Sequence, residues 1–214
     1  MQGSTTVQKK EFFTKEAIQY GWAMFKANVP FFVGIFLIVG ANSIIGRILV
    51  FSLRKDYLLL SDLIQVISWI VGSLFSIGLV KIALSFYDHK KSEYSDLWSH
   101  YRLLLSYIVG SILYGLVFSV GLILLVIPGL IFFVKFHFYS YYIVDKGLGP
   151  IEALKKSSAL THGVKKRLYI FFGTLFVLNL LGALALLVGL FATVPVTILA
   201  DAFVYRKLLE QTEG

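Results

Sequence analysis

The sequence predicts an all-helical integral membrane protein in which six transmembrane helices form three hairpins, each preceded by an amphipathic interfacial helix. Three observations carry that prediction. The 214 residues are 57% hydrophobic and 15% charged, with a mean hydropathy of +0.80, whereas soluble domains are about 45–50% apolar and about 25% charged. The stretch from Leu103 to Val144 has no charge before Lys135 and is broken only at Pro128-Gly129. As one helix it would extend about 63 Å, twice the roughly 30 Å of bilayer hydrocarbon. Leu168 to Ala200 is again uncharged, and Pro195 interrupts it before Asp201. Both stretches must double back, with Pro128, Gly129 and Pro195 as the predicted helix breaks.

Taken in order, residues 1–13 read as a disordered tail, because MQGSTTVQKK offers nothing to bury. The same segment lacks the basic start, apolar stretch and small-residue site of a secretory signal, so it is expected to remain on the mature chain. A single membrane domain, 14–209, follows in three units, 14–87, 88–144 and 145–209, and 210–214 forms a polar tail. In the first unit Thr14 reads as a helix cap. Ile18, Trp22, Phe25 and Val29 recur at helical spacing while Lys15, Gln19 and Lys26 fall elsewhere, which lays that helix in the interface with its apolar side toward the acyl chains. Pro30 to Gly46 is the first crossing, Arg47 snorkels to the far surface, Arg54, Lys55 and Asp56 form the far loop, and Asp62 to Tyr87 returns.

The second unit opens with DHKKSEYSDLWSHYR, in which Ser95 is a candidate cap and Leu97, Trp98 and Tyr101 share one side. Its hairpin descends to about Leu125, turns at Ile127-Pro128-Gly129 and returns to Val144. In the third unit the turn DKGLG leads to Pro150 at a first helical position, and the helix ends at Gly163, a residue suited to a left-handed C-terminal position. Lys165, Lys166 and Arg167 then mark the interface before the last hairpin, Leu168 to Leu209. The units share a plan but little sequence. Trp22 and Lys26 match Trp98 and Arg102, and Glu16-Ala17-Ile18 matches Glu152-Ala153-Leu154; triplication and the common demands of a membrane interface both account for that.

The formal charge of +8 would point to nucleic acid in a soluble protein. Here the basic residues sit at the ends of apolar runs, so the expected partners are membrane phospholipids with anionic headgroups and not nucleic acid. With six crossings, Arg47, Arg54 and Lys55 fall on one side, Lys135 within the bilayer, and all the other Lys and Arg of the 20 on the side of both termini. The positive-inside rule makes that side cytoplasmic.

Two charges lie within apolar helices, Lys135 seven residues after Pro128 and Asp201 six after Pro195. Unpaired charge at the bilayer centre costs about 2.5–3.5 kcal/mol even on lenient scales, so partners are expected. Lys135, His137 and Asp201 could form a polar relay or ion site; a structural ion pair or independent snorkelling would satisfy the same charges. Small residues at Ser68, Gly72 and Ser76, and at Ser111, Gly115 and Ser119, allow close helix approach, between hairpins of one chain or in a homo-oligomer or with other membrane proteins. Asn42 and Asn179 read as interhelical hydrogen-bonding amides, and Tyr139, Tyr141 and Tyr142 as an interfacial aromatic belt.

Catalytic patterns are lacking. There are no cysteines and only 4 histidines, with no i, i+4 pair, no HExxH, and no GxSxG, Walker or GxGxxG arrangement. No enzyme activity, cofactor or metal is expected.

The stretch IPGLIFFVKFHFYSYYIVDKGLGPIEALKKSSALTHG carries Pro128, Asp145, Gly147, Ala153, Leu154, Ser157, Leu160 and Gly163 in the order proline-broken helix, acidic residue with glycine, then A-L-x-x-S-x-x-L-x-x-G. It resembles a large family of uncharacterised bacterial multi-pass membrane proteins and the membrane domain fused to some glycerophosphodiester phosphodiesterases. The closing ATVPVTILADAFVYRKL, with Pro195 and Tyr205, is similar to that family's last helix. The resemblance covers Thr14 to Leu209 and implies a bacterial inner membrane. It implies no activity, since the soluble phosphodiesterase domain is absent. Ala153, Ser157 and Leu160 also share one narrow helix face suited to docking on a crossing helix. The reading is a non-catalytic membrane scaffold or lipid-organising protein; the alternative is a small transporter or channel with Lys135, His137 and Asp201 lining a polar cavity.

Overall fold

The computed structural model describes residues 10–185 and 188–213. Among them there is no strand. The helices are α1 (Thr14–Ala27), α2 (Val29–Leu53), α3 (Leu58–Tyr87), the short α4 (Asp96–Ser99) with a 3-10 turn at Tyr101–Leu103, α5 (Leu104–Leu124), α6 (Val126–Phe136), α7 (Tyr139–Lys146), α8 (Pro150–Leu160), α9 (Lys165–Leu184) and α10 (Leu190–Glu213). Five segments are long and apolar enough to cross a membrane: Val29–Leu53, Leu58–Tyr87, Asp96–Leu124, Ile127–Lys146 and Lys165–Leu184. The helix α10 is not among them, because its second half carries Asp201, Arg206, Lys207, Glu210 and Glu213.

Sequential helices pack back on one another through small residues. Any side chain on Gly46 of α2 would collide with Ser68 of α3, one on Gly121 of α5 with Gly129 and Phe132 of α6, and one on Gly182 of α9 with Thr193 of α10. The reversals do not fall where the prolines predict. The chain turns from α5 into α6 at Leu125, one extended residue with φ −169° and ψ 147°. Pro128 thus lies in the first turn of α6, where the missing N–H has no helical acceptor to lose. Pro195 likewise lies inside α10, and the last reversal precedes Leu190. Residues 186–187 lie outside the described set.

The amphipathic elements differ too. The helix α1 begins after Phe13, with no side-chain cap from Thr14. It packs along α10 through Ala17 and Gly21, the latter so close to the Val196 backbone that no side chain fits. The expected second interfacial helix is reduced to the single turn α4. Leu97 is its buried residue, seated where Gly78 of α3 has no side chain, while Trp98 and Tyr101 are exposed. Ser95 does not cap the backbone; Asp96 Oδ2 instead accepts from Glu93 N at 2.9 Å.

The tails are ordered where they are described. Phe12 is buried edge-on against Phe171 at 5.9 Å, and Lys10 Nζ donates to Leu160 O at 3.1 Å, closing the C-terminal end of α8. Partial burial lowers the Lys10 pKa. Helix α10 runs to Glu213, and Gln211 Nε2 donates to Glu11 O at 2.7 Å. Residues 1–9 of the expected disordered tail lie outside the described residues.

The core sits at the end where these termini meet. Val196, Leu199, Ala200, Ala202, Val204, Tyr205, Leu208 and Leu209 of α10 are buried there against α1, α3, α8 and α9. Tyr139, Tyr141 and Tyr142, expected in an interfacial belt, are part of this core, with Tyr141 and Tyr142 5.2 and 5.3 Å from the Tyr205 ring.

Candidate functional site

Two polar constructions stand out in this apolar chain, and both involve α10. The first repairs a helix break. The returning helix after Leu125 is interrupted at His137-Phe138 between α6 and α7, which frees backbone groups that a hydrocarbon environment leaves unsatisfied. Ser157 of α8 answers this with one hydroxyl: it accepts from Phe138 N at 3.1 Å and donates to Lys135 O at 3.1 Å. Thr161 Oγ1 also donates to Lys135 O, at 3.3 Å. Ala153, Ser157, Leu160 and Thr161 are all fully buried, so the narrow face of α8 is the surface laid against the break. Its opposite face exposes Glu152, Lys155 and Lys156. Gly149 enters α8 in extended conformation before Pro150. Gly147 at φ +64° and Gly163 at φ +85° take left-handed backbone on either side of it, a region that glycine enters without a Cβ penalty.

Beside the break, His137 Nε2 lies 3.4 Å from Asp201 Oδ2. The imidazole is walled by Phe133, Phe138 and Phe172, the last with ring centroids 4.2 Å apart. Asp201 is buried, and its Oδ1 has no hydrogen-bond partner among the described residues. The three predicted intramembrane polar residues are therefore divided. His137 and Asp201 come together, whereas the Lys135 ammonium lies 5.0 Å from the Phe136 ring centroid and joins no ion pair among the described residues. Of the two basic residues grouped with Asp201, the structure brings His137 to it and not Lys135.

The second construction is a clamp. Arg206 of α10 donates from Nη1 to Asp145 Oδ2 at 2.9 Å and from Nη2 to Asp145 Oδ1 at 2.8 Å, a two-pronged pairing. The same Nη2 donates to Asp88 Oδ2 at 2.7 Å. Tyr205 OH adds a bond to Asp145 Oδ2 at 3.1 Å. The ends of α3 and α7 are thereby tied to the middle of α10's polar half. Asp88 is presented by a left-handed residue, His89 at φ 53°, with Lys90 N donating to Ser85 O at 2.8 Å in the manner of a Schellman close. Around the clamp, Tyr87 OH donates to Glu210 Oε1 at 3.0 Å, and Lys146 pairs with Glu213 at 3.1 Å. Burial first, and the Asp88 carboxylate second, push the Tyr20 hydroxyl up to about 12, so it stays neutral.

Sequence reasoning singled out Asp145 from a resemblance and missed Arg206 as its partner and Asp88 as the second carboxylate on that guanidinium. A physical signal was present. Asp88 caps the C-terminus of α3 and Asp145 sits in the last turn of α7, where the helix dipole disfavours an anion. Two carboxylates in such positions call for a shared cation, and Arg206 supplies it.

Among the described residues no group of three or more His, Asp or Glu side chains is placed to hold a metal ion. A cavity of about 100 Å³ between α2, α3 and α10 is lined by Phe32, Ile35, Val39, Leu79, Pro195 and Leu199, among other apolar side chains. Comparison with protein-family models, curated proteins and solved structures finds no match to this chain.

Proposed function

We propose that the protein is a non-catalytic, lipid-organising scaffold that crosses the membrane six times in three hairpins, with α10 as the sixth crossing. The observation that carries this reading is the character of the cavity beside α10. It is apolar throughout, and Lys135, His137 and Asp201 do not line it; a cavity of that lining stays dry. The block built from α1, α8 and the C-terminal ends of α7 and α10 then lies at the headgroup level of the basic side. The cationic face of α8 is turned to anionic phospholipid there. The positive-inside argument makes this the cytoplasmic side of a bacterial inner membrane, and the resemblance of residues 127–163 to multi-pass membrane families supports the same setting.

The chain contains no cysteine, so single cysteines report topology cleanly. Cysteines placed at Lys55 and Ala185 are expected to react from the side opposite those placed at Lys91 and Gln211. In proteoliposomes the protein is expected to restrict the motion of spin-labelled anionic lipid without dissipating ion or proton gradients. The buried Asp201 with its unpartnered Oδ1 supports the second reading, a small transporter; gradient dissipation abolished by Asp201→Asn would establish that reading and overturn the scaffold.

A further inference from the structure

The cleft between α2 and α3, on the turn side of the molecule, differs from the surface around it. Gly46 and Ser68 bring the two helices into contact, and beside that contact is a cavity of about 180 Å³ whose lining includes Asn42, Ser43, Arg47, Gln65 and Trp69. The neighbouring surface is hydrocarbon, with Ile44, Ile45, Ile48, Val66 and Ile67 exposed. Ser43 is occupied within its own helix, donating to Val39 O at 3.1 Å. Arg47 joins no ion pair among the described residues, although Asp62 lies further along α3 toward the loop. A guanidinium in such a helix requires an anion or water.

The register set by Gly46 opposite Ser68 orders these donors by depth. Gln65 is nearest the loop, and Arg47 lies about 9 Å inside the end of α2 at Leu53, within snorkelling reach of the phosphate layer. Asn42 sits more than one turn deeper, level with Gly72, whose missing side chain leaves open space. A phospholipid presents its groups in the same sequence: phosphate outermost, ester carbonyls below it, acyl chains below those. We propose that this cleft binds one anionic phospholipid of the turn-side leaflet. Arg47 holds the phosphate with its two-pronged guanidinium and Gln65 assists. Asn42 donates to an ester carbonyl, and the Trp69 indole lies at the boundary between the two layers.

The inference rests on α2 and α3 crossing the bilayer, which labelling at Lys55 against Lys91 tests separately. The experiment uses the full chain in nanodiscs of mixed phosphatidylcholine and phosphatidylglycerol, with retained lipid counted by native mass spectrometry. The wild type is expected to retain phosphatidylglycerol preferentially. Arg47→Ala is expected to lower that retention about 10-fold, Arg47→Lys to lower it less, and Gln65→Leu to lower it with the fold intact by circular dichroism. Excess inorganic phosphate should not displace the lipid, and the control pair Lys155→Ala/Lys156→Ala at the opposite end should leave this retention in place. Unchanged retention in Arg47→Ala, equal retention of phosphatidylcholine, or a variant that instead converts a dimer to a monomer would overturn the proposal. Same-side labelling of Lys55 and Lys91 would overturn the crossing itself.

Discussion

The two ends of the molecule are built differently. At the end that gathers residues 10–13, Asp88, Asp145 and the last half of α10, helices are joined by a three-residue charged clamp, a serine-repaired helix break and a cluster of buried tyrosines. At the turn end, successive helices meet through small residues and present bare hydrocarbon, as at Phe51, 86% exposed, and Ile123, 84% exposed. Hydrocarbon contact between helices gains little in lipid, because acyl chains are as apolar as leucine. Order in such a protein has to come from polar groups and close backbone contacts; among the described residues the interhelical ion pairs are concentrated at the clamped end, whereas close glycine contacts join successive helices toward the turns.

The contrast is broken most strongly by Arg206→Ala. It leaves Asp145 partly buried without a cation and Asp88 with the exposed Lys90 alone, 3.8 Å away, so a loss of about 3–5 kcal/mol is expected in reversible unfolding. Asp145→Asn should cost less, because the amide oxygen still accepts one bond from the guanidinium. Next in size is Gly78→Ala, where a methyl meets the Leu97 backbone; about 1–3 kcal/mol is expected, read by thermal unfolding in detergent. Ser157→Ala strands Phe138 N–H and should also cost about 1–3 kcal/mol. Its distinguishing readout is faster hydrogen exchange at Phe138. Smallest, and opposite in sign, are Gly72→Ala and Gly115→Ala, where the added methyl meets nothing within 4 Å. Relief of glycine's helix penalty should stabilise each by up to about 1 kcal/mol.

Much of this asymmetry was hidden in the sequence. The helical membrane class was legible, since long uncharged stretches admit few other structures. The turns were not, because proline fits the first turn of a helix as well as its end, and Pro128 takes the former place. The two small-residue stripes were only partly informative. Ser68 meets Gly46, and Ser111 Oγ lies 2.9 Å from Tyr139 OH, whereas Gly72 and Gly115 face open space. Asn179 does bond across helices, donating to Thr197 Oγ1 at 2.8 Å. Tyr139, Tyr141 and Tyr142 read as interfacial from their place near Asp145; the structure buries them, Tyr141 and Tyr142 against Tyr205 of α10 and Tyr139 against Tyr107 and Tyr114 of α5. Pairings such as Arg206 with Asp145 and His137 with Asp201 span more than 60 residues and follow from three-dimensional register alone.

The most direct test of the contrast is a pair of distance distributions in one bilayer. Spin labels at Lys91 and Lys155 report the clamped end, and labels at Lys55 and Ile123 report the turn end, measured by pulsed electron resonance on the otherwise cysteine-free chain. A narrow distribution at the clamped end that broadens in Arg206→Ala, with a broad distribution at the turn end in both proteins, is the predicted result. Equal widths at the two ends, or a clamped-end distribution indifferent to Arg206, would contradict it.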